Sequence, residues 1–341
     1  MNKYSPFIIA EAGVNHNGDL SKAYKLVDIA KKAGADAIKF QLYDIKEQIS
    51  IIAKTARYQR KSTKESNMLK MARSYTLPLK AHIKIKSYCD KKKIQYMASC
   101  CDIESIDFYK NKLKAKVLKI SSGEITNLNL LKYAANQNIN TIISTGMANT
   151  AEISEAVSIF KKYSRSKLFL LHCISNYPGK DTEQNLSTIK FLENKFKCAI
   201  GYSDHTTGYI CSIVATILGA RIIEKHFTYD KRAKGPDHHM SMGPEEFIKF
   251  IKNLRNLKKI IKPNLKNKII SNKEREMIKI ARRGLISIKN IIKGETFNSK
   301  NIAAKRPATG IEVNHLKKVI NKKASINIKA NTPIKWEYIK K

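Results

Sequence analysis

Ile200-Gly-Tyr-Ser-Asp-His205-Thr206 and, with its histidine 21 residues further along, Ile222-Ile-Glu-Lys-His226-Phe-Thr228 are the stretches of sequence that decide the fold. Each is a short apolar run that ends in a histidine, and such a run is typical of a buried strand. Histidines that end neighbouring strands would meet at one edge, and two neutral imidazoles there are a common start of a divalent-metal site. A single strand-end histidine is more often a hydrogen-bonded structural residue, so the other strand ends decide between these interpretations.

The rest of the chain repeats this pattern of short apolar runs separated by amphipathic segments. Most runs are rich in Ile, Val, Leu and Phe without strict alternation, as in strands that are buried on both faces of a parallel sheet. The eight runs cover Phe7–Ala12, Ala37–Leu42, Gln95–Ser99, Val117–Ser121, Thr141–Ser144, Leu168–Cys173, Ala199–Ser203 and Arg221–His226.

Helical segments lie between these runs. Residues 21–33 carry apolar side chains at helical spacing and end before Gly34, a residue that is frequent just after a helix. Asn149 precedes a segment with early acidic residues, as helix N-termini prefer. Eight strand–helix units over about 250 residues predict an α/β fold of the (β/α)8 TIM-barrel type. A doubly wound sheet is the alternative, but the G-x-G-x-x-G motif that it favours after the first strand is missing.

The last quarter of the chain differs from the rest in composition. Residues 259–283 are rich in Lys and Asn and contain Pro263, which predicts a linker with a short helix. From Arg283 onward, apolar groups at Leu285–Ile288, Ile302–Ala304 and Ile326–Lys329 predict short strands and turns. We therefore expect a barrel domain over residues 1–262, a linker over 263–282 and a small domain with a limited core over 283–341.

Composition argues against a membrane protein and a secreted one. Hydrophobic residues make up 43% of the 341 residues, and no apolar run approaches the roughly 18 residues that a membrane span needs. The N-terminus lacks the apolar core and cleavage site of a signal peptide. The six cysteines show no disulfide framework and are expected to be buried thiols. These features predict a cytoplasmic protein without membrane contact.

The formal net charge of +37 raises the possibility of nucleic-acid binding. The excess of Lys and Arg is spread along the whole chain, and no helix-turn-helix, zinc-finger or ribonucleoprotein aromatic motif accompanies it. We therefore expect a solvated basic surface and no nucleic-acid partner. A positive field would also help to attract an anionic substrate.

Polar side chains with catalytic potential follow most of the predicted strands. In a TIM barrel the C-terminal strand ends converge on one rim, where active sites form. Lysines and hydroxyls there suit a phosphorylated substrate, and carboxylates suit proton transfer. The groups in chain order are Glu11, Lys39, Gln41, Ser99, Lys119, Ser122, Glu124, Ser144, Tyr177, Ser203, His205, Glu224, His226 and Asp237.

Together these segments resemble the bacterial sialic acid synthase family. The stretches that carry the resemblance are Glu11–Gly18, Lys39–Gln41, Lys119–Glu124, Ser144–Met147, Ser203–Thr206, Glu224–Thr228 and Gly235–His238. Lys305-Arg-Pro-Ala-Thr-Gly-Ile311 is similar to the small C-terminal antifreeze-like (SAF) domain of that family. The resemblance covers nearly the whole chain and implies a TIM-barrel catalytic domain followed by an SAF domain.

The resemblance implies a phosphoenolpyruvate-dependent transferase of glycan biosynthesis. Such an enzyme condenses phosphoenolpyruvate with an open-chain N-acylated hexosamine and water, giving a nine-carbon 2-keto sugar acid and phosphate. With N-acetylmannosamine the product is N-acetylneuraminate, which is the expected activity. The alternative acceptor, 2,4-diacetamido-2,4,6-trideoxy-mannose, would make the chain a legionaminate synthase. The Gly235–His238 stretch argues against the pseudaminate branch, which departs from that motif.

The resemblance also implies roles for individual residues. His205 and His226 would hold Mn²⁺, or another divalent cation such as Mg²⁺ or Co²⁺. Glu124, Glu11 and Lys119 are expected to be catalytic, with Glu124 as the group that transfers a proton. The substrates would be bound by Lys39, Gln41, Ser99, Ser122, Ser144, Tyr177, Ser203, Asp237 and Arg306. Arg306 would reach the active site of the partner in a homodimer of domain-swapped type.

One departure from the family pattern bears on activity. After the third predicted strand the family has Ser-Thr-Pro-Phe, where this chain has Ser99-Cys-Cys-Asp102. On this alignment Cys100 replaces a hydroxyl that contacts phosphate and would weaken the binding of phosphoenolpyruvate. The departure motivates a further alternative, an inactive barrel kept as an oligomeric scaffold.

Overall fold

A computed structural model describes residues 4–261 and 267–340 in two compact units, divided between residues 262 and 263. The first unit contains the predicted barrel, and the second contains the predicted small domain. Part of the predicted linker, residues 263–266, lies outside the described residues. No helix within the described ranges is long and apolar enough to cross a membrane.

Eight parallel strands close into a barrel in the order of the chain, with β1 paired to both β2 and β8. All eight predicted strands are present, each within one or two residues of its expected ends, so the predicted TIM barrel is confirmed. The strands are β1 (Phe7–Gly13), β2 (Ala37–Leu42), β3 (Gln95–Cys100), β4 (Val117–Ile120), β5 (Asn140–Ser144), β6 (Leu168–His172), β7 (Ala199–Asp204) and β8 (Ile222–His226).

Helices follow the strands, and most of them carry buried apolar residues that pack on the outside of the barrel. Those of the first unit are α1 (Leu20–Ala33), α2 (Ile45–Gln48), α3 (Arg57–Thr63), α4 (Met68–Tyr75), α5 (Leu79–Lys92), α6 (Ile103–Asn111), α7 (Leu128–Asn136), α8 (Thr150–Tyr163), α9 (Thr188–Phe196), α10 (Ile210–Ile217) and α11 (Pro244–Ile260). Short 3-10 turns occupy Ser122–Glu124, Asp181–Glu183 and His238–Met240.

The predicted helix boundaries follow from the capping residues. Gly34 ends α1 in the left-handed region at φ 86°, which glycine adopts without steric cost. Asn149 caps α8 by accepting the backbone N–H groups of Ala151 and Glu152. The Glu152 carboxylate in turn accepts the N–H of Asn149, which completes a capping box.

Side chains alternate between the barrel interior and the layer under the helices, with the period of two that strands impose. The lower part of the interior is apolar and contains Ile9, Ala37, Met97, Ile142, Leu171 and Ile222. Two residues further along their strands, at the C-terminal ends, the inward positions become polar, as with Glu11, Lys39 and Glu224. The apolar layer beneath therefore supports a polar floor.

A long excursion separates β2 from α5, where most barrels have a short connection. It contains α2, α3 and α4 and has its own small apolar cluster around Ile49, Leu69 and Ala72. These helices were not predicted from the sequence, because they are too short to show a clear helical spacing of apolar residues. Their positions matter for the cavity described below.

The second unit is built around a two-stranded antiparallel sheet of β9 (Gly284–Ser287) and β10 (Ile302–Lys305). Its helices are α12 (Asn272–Ala281) and α13 (Leu316–Val319), with 3-10 turns at Val313–His315 and Trp336–Tyr338. Of the short strands and turns that were predicted, the stretch Ile326–Lys329 contributes a single bridge, between Ile328 and Ile291. A core around Leu285, Phe297 and Ile334 holds these short pieces together.

Candidate active site

A cavity of about 460 Å³ opens at the C-terminal ends of the barrel strands. Its floor consists of polar side chains from the strand ends, and one wall consists of apolar and aromatic side chains from the 43–75 excursion. The predicted site residues that line it are Glu11, Lys39, Gln41, Ser99, Lys119, Ser122, Ser144, Tyr177, Ser203, His205, His226 and Asp237. The barrel thus brings together groups that are more than 200 residues apart in sequence.

Strand register explains how these groups meet. Glu11 of β1 is paired with Lys39 of β2 on one side and with His226 of β8 on the other. Ser99 is opposite Lys119, and Ser203 is opposite Glu224. All these positions are directed inward, so the alternation of the strands places them in the barrel interior near the C-terminal strand ends, with His226 one inward position beyond Glu224.

Two lysines and two glutamates form a buried charge cluster on the floor. The Lys39 ammonium lies 2.8 Å from the Glu11 carboxylate and 3.6 Å from that of Glu224. The Lys119 ammonium lies 3.1 Å from Glu224. Lys39 also donates to the Ser99 hydroxyl, and the Ser203 hydroxyl donates to Glu224. Two positive and two negative charges balance each other in this cluster.

The two carboxyls of the cluster have opposite pKa shifts. Burial raises the pKa of Glu11 to about 7, with Lys39 opposing the shift. Burial acts in the same direction on Glu224, but Lys119 and Lys39 outweigh it and hold the pKa of Glu224 well below its usual range. Glu224 is therefore the ionised counter-ion of the lysines, whereas Glu11 is the carboxyl that exchanges a proton more readily.

His205 and His226 both present neutral imidazoles, with ring centroids 5.8 Å apart. Burial lowers the pKa of His205 to about 4 and that of His226 well below its usual value. The Nδ1–H of His205 donates to the carbonyl of Ile174, which leaves Nε2 as an acceptor toward the hydroxyl of Tyr177, 3.0 Å away. His226 Nδ1 is buried without a hydrogen-bond partner among the described residues.

These histidines fit a divalent ion as ligands. Metal-binding imidazoles are neutral and use one nitrogen, while the other is often fixed by a carbonyl, as in His205. No group of three or more potential His, Cys, Asp or Glu ligands occurs within the described ranges. An ion held by the two imidazoles would thus keep open positions for substrate or water, as catalytic sites do.

Asp237 and Tyr177 form the side of the cavity next to the histidines. Asp237 is buried, its Oδ1 has no hydrogen-bond partner in the described chain, and burial raises its pKa to about 6. The Tyr177 ring lies against His205, with centroids 4.1 Å apart, and stacks on Tyr58 of α3 at 5.5 Å. Tyr58 thereby connects the excursion to the site.

Two predicted site residues do not line the cavity. Glu124, in the first unit, accepts a hydrogen bond from the Asn127 side chain at 3.1 Å. The residue before it, Gly123, is exposed and does line the cavity. Arg306 belongs to the second unit, where its Nε donates to the carbonyl of Ala281. The role of Arg306 in a homodimer stays a prediction.

The expectation for Cys100 was wrong. Its side chain is buried in the layer under the helices and contacts the carbonyl of Ser105, because Ser99 is the inward residue at this point of β3. Cys101 lines the cavity instead. Glu224 was among the strand-end carboxylates predicted from the sequence, but no individual role was assigned to it, although its spacing of two from His226 put it on the same face of β8.

Comparison with known proteins agrees with this geometry. The model of the NeuB family matches residues 26–266, and that of the SAF domain matches residues 282–340. The chain belongs to the NeuB family. The predicted resemblance, the SAF domain and the enzyme class, a nonulosonate synthase, are thereby confirmed.

Among NeuB relatives, the N,N'-diacetyllegionaminic acid synthase of Campylobacter jejuni is 43% identical over 331 residues, covering 96% of this chain and 98% of the relative. The Legionella pneumophila protein of the same name is 37% identical, over 98% of this chain and 94% of the relative. A sialic acid synthetase structure from Leptospira borgpetersenii has a TM-score of 0.69 and 36% identity, covering 81% of this chain and 91% of that one.

Proposed function

We propose that the chain condenses phosphoenolpyruvate with an open-chain N-acylated amino sugar and water, giving a nonulosonic acid and phosphate. The observation that carries the proposal is the placement of two buried lysines and several hydroxyls beside two neutral imidazoles in one cavity. Lysines suit the phosphate and carboxylate of one substrate, and the imidazoles suit an ion that acts on the aldehyde of the other.

Phosphoenolpyruvate occupies the floor in this proposal. Lys39 and Lys119 neutralise its charges, and Ser99, Ser122 and Ser144 donate hydrogen bonds to its oxygens. Support comes from Ser144, whose hydroxyl is buried without a partner among the described residues. The Ser122 hydroxyl accepts the N–H of Gly146 and lies 3.2 Å from the Cys173 sulfur, which is a weak acceptor, so a phosphate oxygen would be the better partner for the hydroxyl proton. An unpaired buried hydroxyl is costly, and a phosphate oxygen would satisfy it.

The acceptor sugar lies between the floor and the excursion. A divalent ion on His205 and His226 would polarise the aldehyde, which makes C1 of the sugar electrophilic. Asp237, Tyr177 and Gln41 then hold the sugar hydroxyls, since the unpartnered oxygen of Asp237 accepts hydrogen bonds. The excursion covers one side of this part of the cavity.

The bonds balance without a further reactant. C3 of phosphoenolpyruvate bonds to C1 of the sugar, the aldehyde oxygen takes up a proton, and the oxygen of water bonds to C2. Cleavage of the C2–O bond releases phosphate, and loss of the water protons leaves the 2-keto acid. Glu11 is the group that we assign to proton transfer, because its carboxyl lines the cavity and Glu124 does not.

The apolar wall favours the legionaminate-type acceptor over N-acetylmannosamine. The wall includes Tyr43, Ile49, Met68, Met71, Ala72 and Tyr75. The 2,4-diacetamido-6-deoxy sugar carries two more methyl groups than N-acetylmannosamine, and the Ile and Met side chains of this wall offer apolar surface on which to bury them. At about 0.8 kcal/mol per buried methyl group, the difference is about tenfold in relative kcat/KM. The two legionaminic acid synthase relatives support the same acceptor.

The test is an acceptor competition with purified protein, phosphoenolpyruvate and Mn²⁺. We expect kcat/KM for 2,4-diacetamido-2,4,6-trideoxy-mannose to exceed that for N-acetylmannosamine about tenfold, from phosphate release and the mass of the keto acid. Met71→Gln should narrow this ratio, whereas Met277→Gln in the second unit should leave it unchanged. Turnover of N-acetylmannosamine alone would make the chain an N-acetylneuraminate synthase, and no turnover with either sugar would refute the proposal.

A further inference from the structure

Two consecutive polar pairs join β7 to β8 directly before the two histidines. Ser203 is opposite Glu224 on the inward face, and Asp204 is opposite Lys225 on the outward face. His205 follows Asp204, and His226 follows Lys225. The inward pair belongs to the cavity floor, but neither Asp204 nor Lys225 lines the cavity.

Asp204 and Lys225 form an ion pair in the layer beneath α10, with 3.0 Å between the ammonium and Oδ1. Both side chains are almost fully buried, at 0% and 1% exposure. Asp204 Oδ2 accepts the hydroxyl of Ser212 from α10. Such a pair is costly to bury, so its hydrogen bonds must be complete, and here they are.

The pair fixes the backbone on both sides of His205. Asp204 Oδ1 accepts the N–H of Thr206 at 2.9 Å and its hydroxyl at 2.8 Å. The Lys225 ammonium donates to the carbonyl of Thr206. Because Asp204 precedes His205 and Thr206 follows it, the turn that carries this imidazole is tied to the strand that carries His226.

We propose that Asp204 and Lys225 are positioning residues that set the separation of the two imidazoles and thereby the affinity of the site for a divalent ion. This inference rests on the metal site of the proposed function. The carbonyl of Ile174 orients the ring of His205, and the ion pair holds the position of its backbone relative to β8. Groups behind metal ligands commonly change metal affinity about 10- to 100-fold when they are replaced.

The test measures Mn²⁺ binding to metal-free protein by the electron paramagnetic resonance of the free ion, which does not depend on turnover. The double variant Asp204→Asn/Lys225→Met removes both charges and keeps the side-chain sizes. We expect its Mn²⁺ dissociation constant to rise about 10- to 100-fold. Its affinity for inorganic phosphate should stay unchanged, because Lys39 and Lys119 are untouched.

A matched control separates positioning from general destabilisation. Asp36 and Arg255 form another ion pair, at 2.6 Å, next to the N-terminal end of β2. The double variant Asp36→Asn/Arg255→Met should lower the melting temperature but change Mn²⁺ affinity less than about twofold. If the Asp204/Lys225 double variant does not fold, Ser212→Ala provides the test. It removes only the hydroxyl that donates to Asp204 and should weaken Mn²⁺ binding about threefold, because Asp204 keeps its other partners.

The outcomes distinguish this inference from the proposed function. If the Asp204/Lys225 double variant folds and binds Mn²⁺ with wild-type affinity, the positioning role is overturned and the metal site is unaffected. If that double variant does not fold, wild-type Mn²⁺ affinity in Ser212→Ala leads to the same conclusion. If the wild-type protein binds no Mn²⁺, or binds it equally well after His205→Ala, the metal site itself is refuted and the inference falls with it. If Mn²⁺ binding is weakened in the Asp204/Lys225 double variant but not in the Asp36/Arg255 double variant, the result supports the positioning role and the metal site.

Discussion

Glu224 provides the sharpest test of the charge cluster. The substitution Glu224→Gln keeps the shape of the side chain and removes one of two negative charges that balance Lys39 and Lys119. The carboxylate lies 3.1 Å from Lys119 and 3.6 Å from Lys39, and Ser203 donates to it. The variant leaves a buried excess of one positive charge on the floor of the cavity.

The expected magnitude follows from these distances. At 3.1 Å and an effective dielectric constant of about 20, two unit charges interact by roughly 5 kcal/mol. Breaking a buried pair by removing one partner typically costs about 3–5 kcal/mol. We therefore expect the free energy of unfolding of the ligand-free protein to fall by about 3–5 kcal/mol. Inorganic phosphate supplies negative charge at the same place, so it should restore more stability to the variant than to the wild type.

The assay is urea unfolding followed by circular dichroism, with and without inorganic phosphate. Glu246→Gln is a matched control, because Glu246 lies 3.0 Å from Lys231 but both side chains are about half exposed. That control should change the free energy of unfolding by less than about 1 kcal/mol, with no dependence on phosphate. If Glu224→Gln has the wild-type free energy of unfolding and phosphate stabilises both proteins equally, Glu224 does not balance the charges of Lys39 and Lys119, and the reasoning is refuted.

Two further predictions concern the barrel itself. Burial lowers the pKa of His82 from its ordinary value of 6.5 to about 4, so the stability that its neutral form provides is complete above pH 6.5 and is lost as the pH falls toward 4. His82 should account for about 3 kcal/mol of the fall in the free energy of unfolding over this range, at 1.36 kcal/mol per pH unit, and His82→Gln should reduce the fall measured by urea unfolding by that amount, while the other buried histidines keep their share. Gly201→Ala should destabilise the fold by about 1–3 kcal/mol in the same assay, because a Cβ there would lie 2.6 Å from the carbonyl oxygen of Ile222. Gly208→Ala, where no atom lies within 4 Å of the added carbon, is its control and should be neutral.

The strands and most outer helices could be predicted because a buried element needs apolar residues at a regular spacing, and that spacing is visible in the sequence. Strands that are covered on both faces need continuous apolar runs, and polar residues appear only where a strand reaches the rim. Helix ends are marked by residues such as Gly34 and Asn149, whose conformations and side chains suit those positions. Local chemistry decides these features, so local sequence reveals them.

The excursion between β2 and α5 was beyond such reasoning. Its helices are short, and α3 has no buried residue, so no apolar periodicity marks it. Tyr58 reaches the site through its stack on Tyr177, a contact between segments 119 residues apart that no local pattern encodes. The apolar wall of the cavity therefore became visible only in three dimensions.

Alternation along the strands resolves the question that Cys100 raised. Met97 belongs to the barrel interior and Ser99 lines the cavity, so Cys100 must be directed toward the helices, where it contacts the carbonyl of Ser105. The hydroxyl that can meet an anion at this strand end is that of Ser99, which already accepts a hydrogen bond from Lys39. The thiol at position 100 therefore removes nothing from the cavity. The hypothesis of an inactive scaffold rested on the loss of a hydroxyl from the cavity. Because no such loss occurs at position 100, the structure gives no reason to prefer that hypothesis.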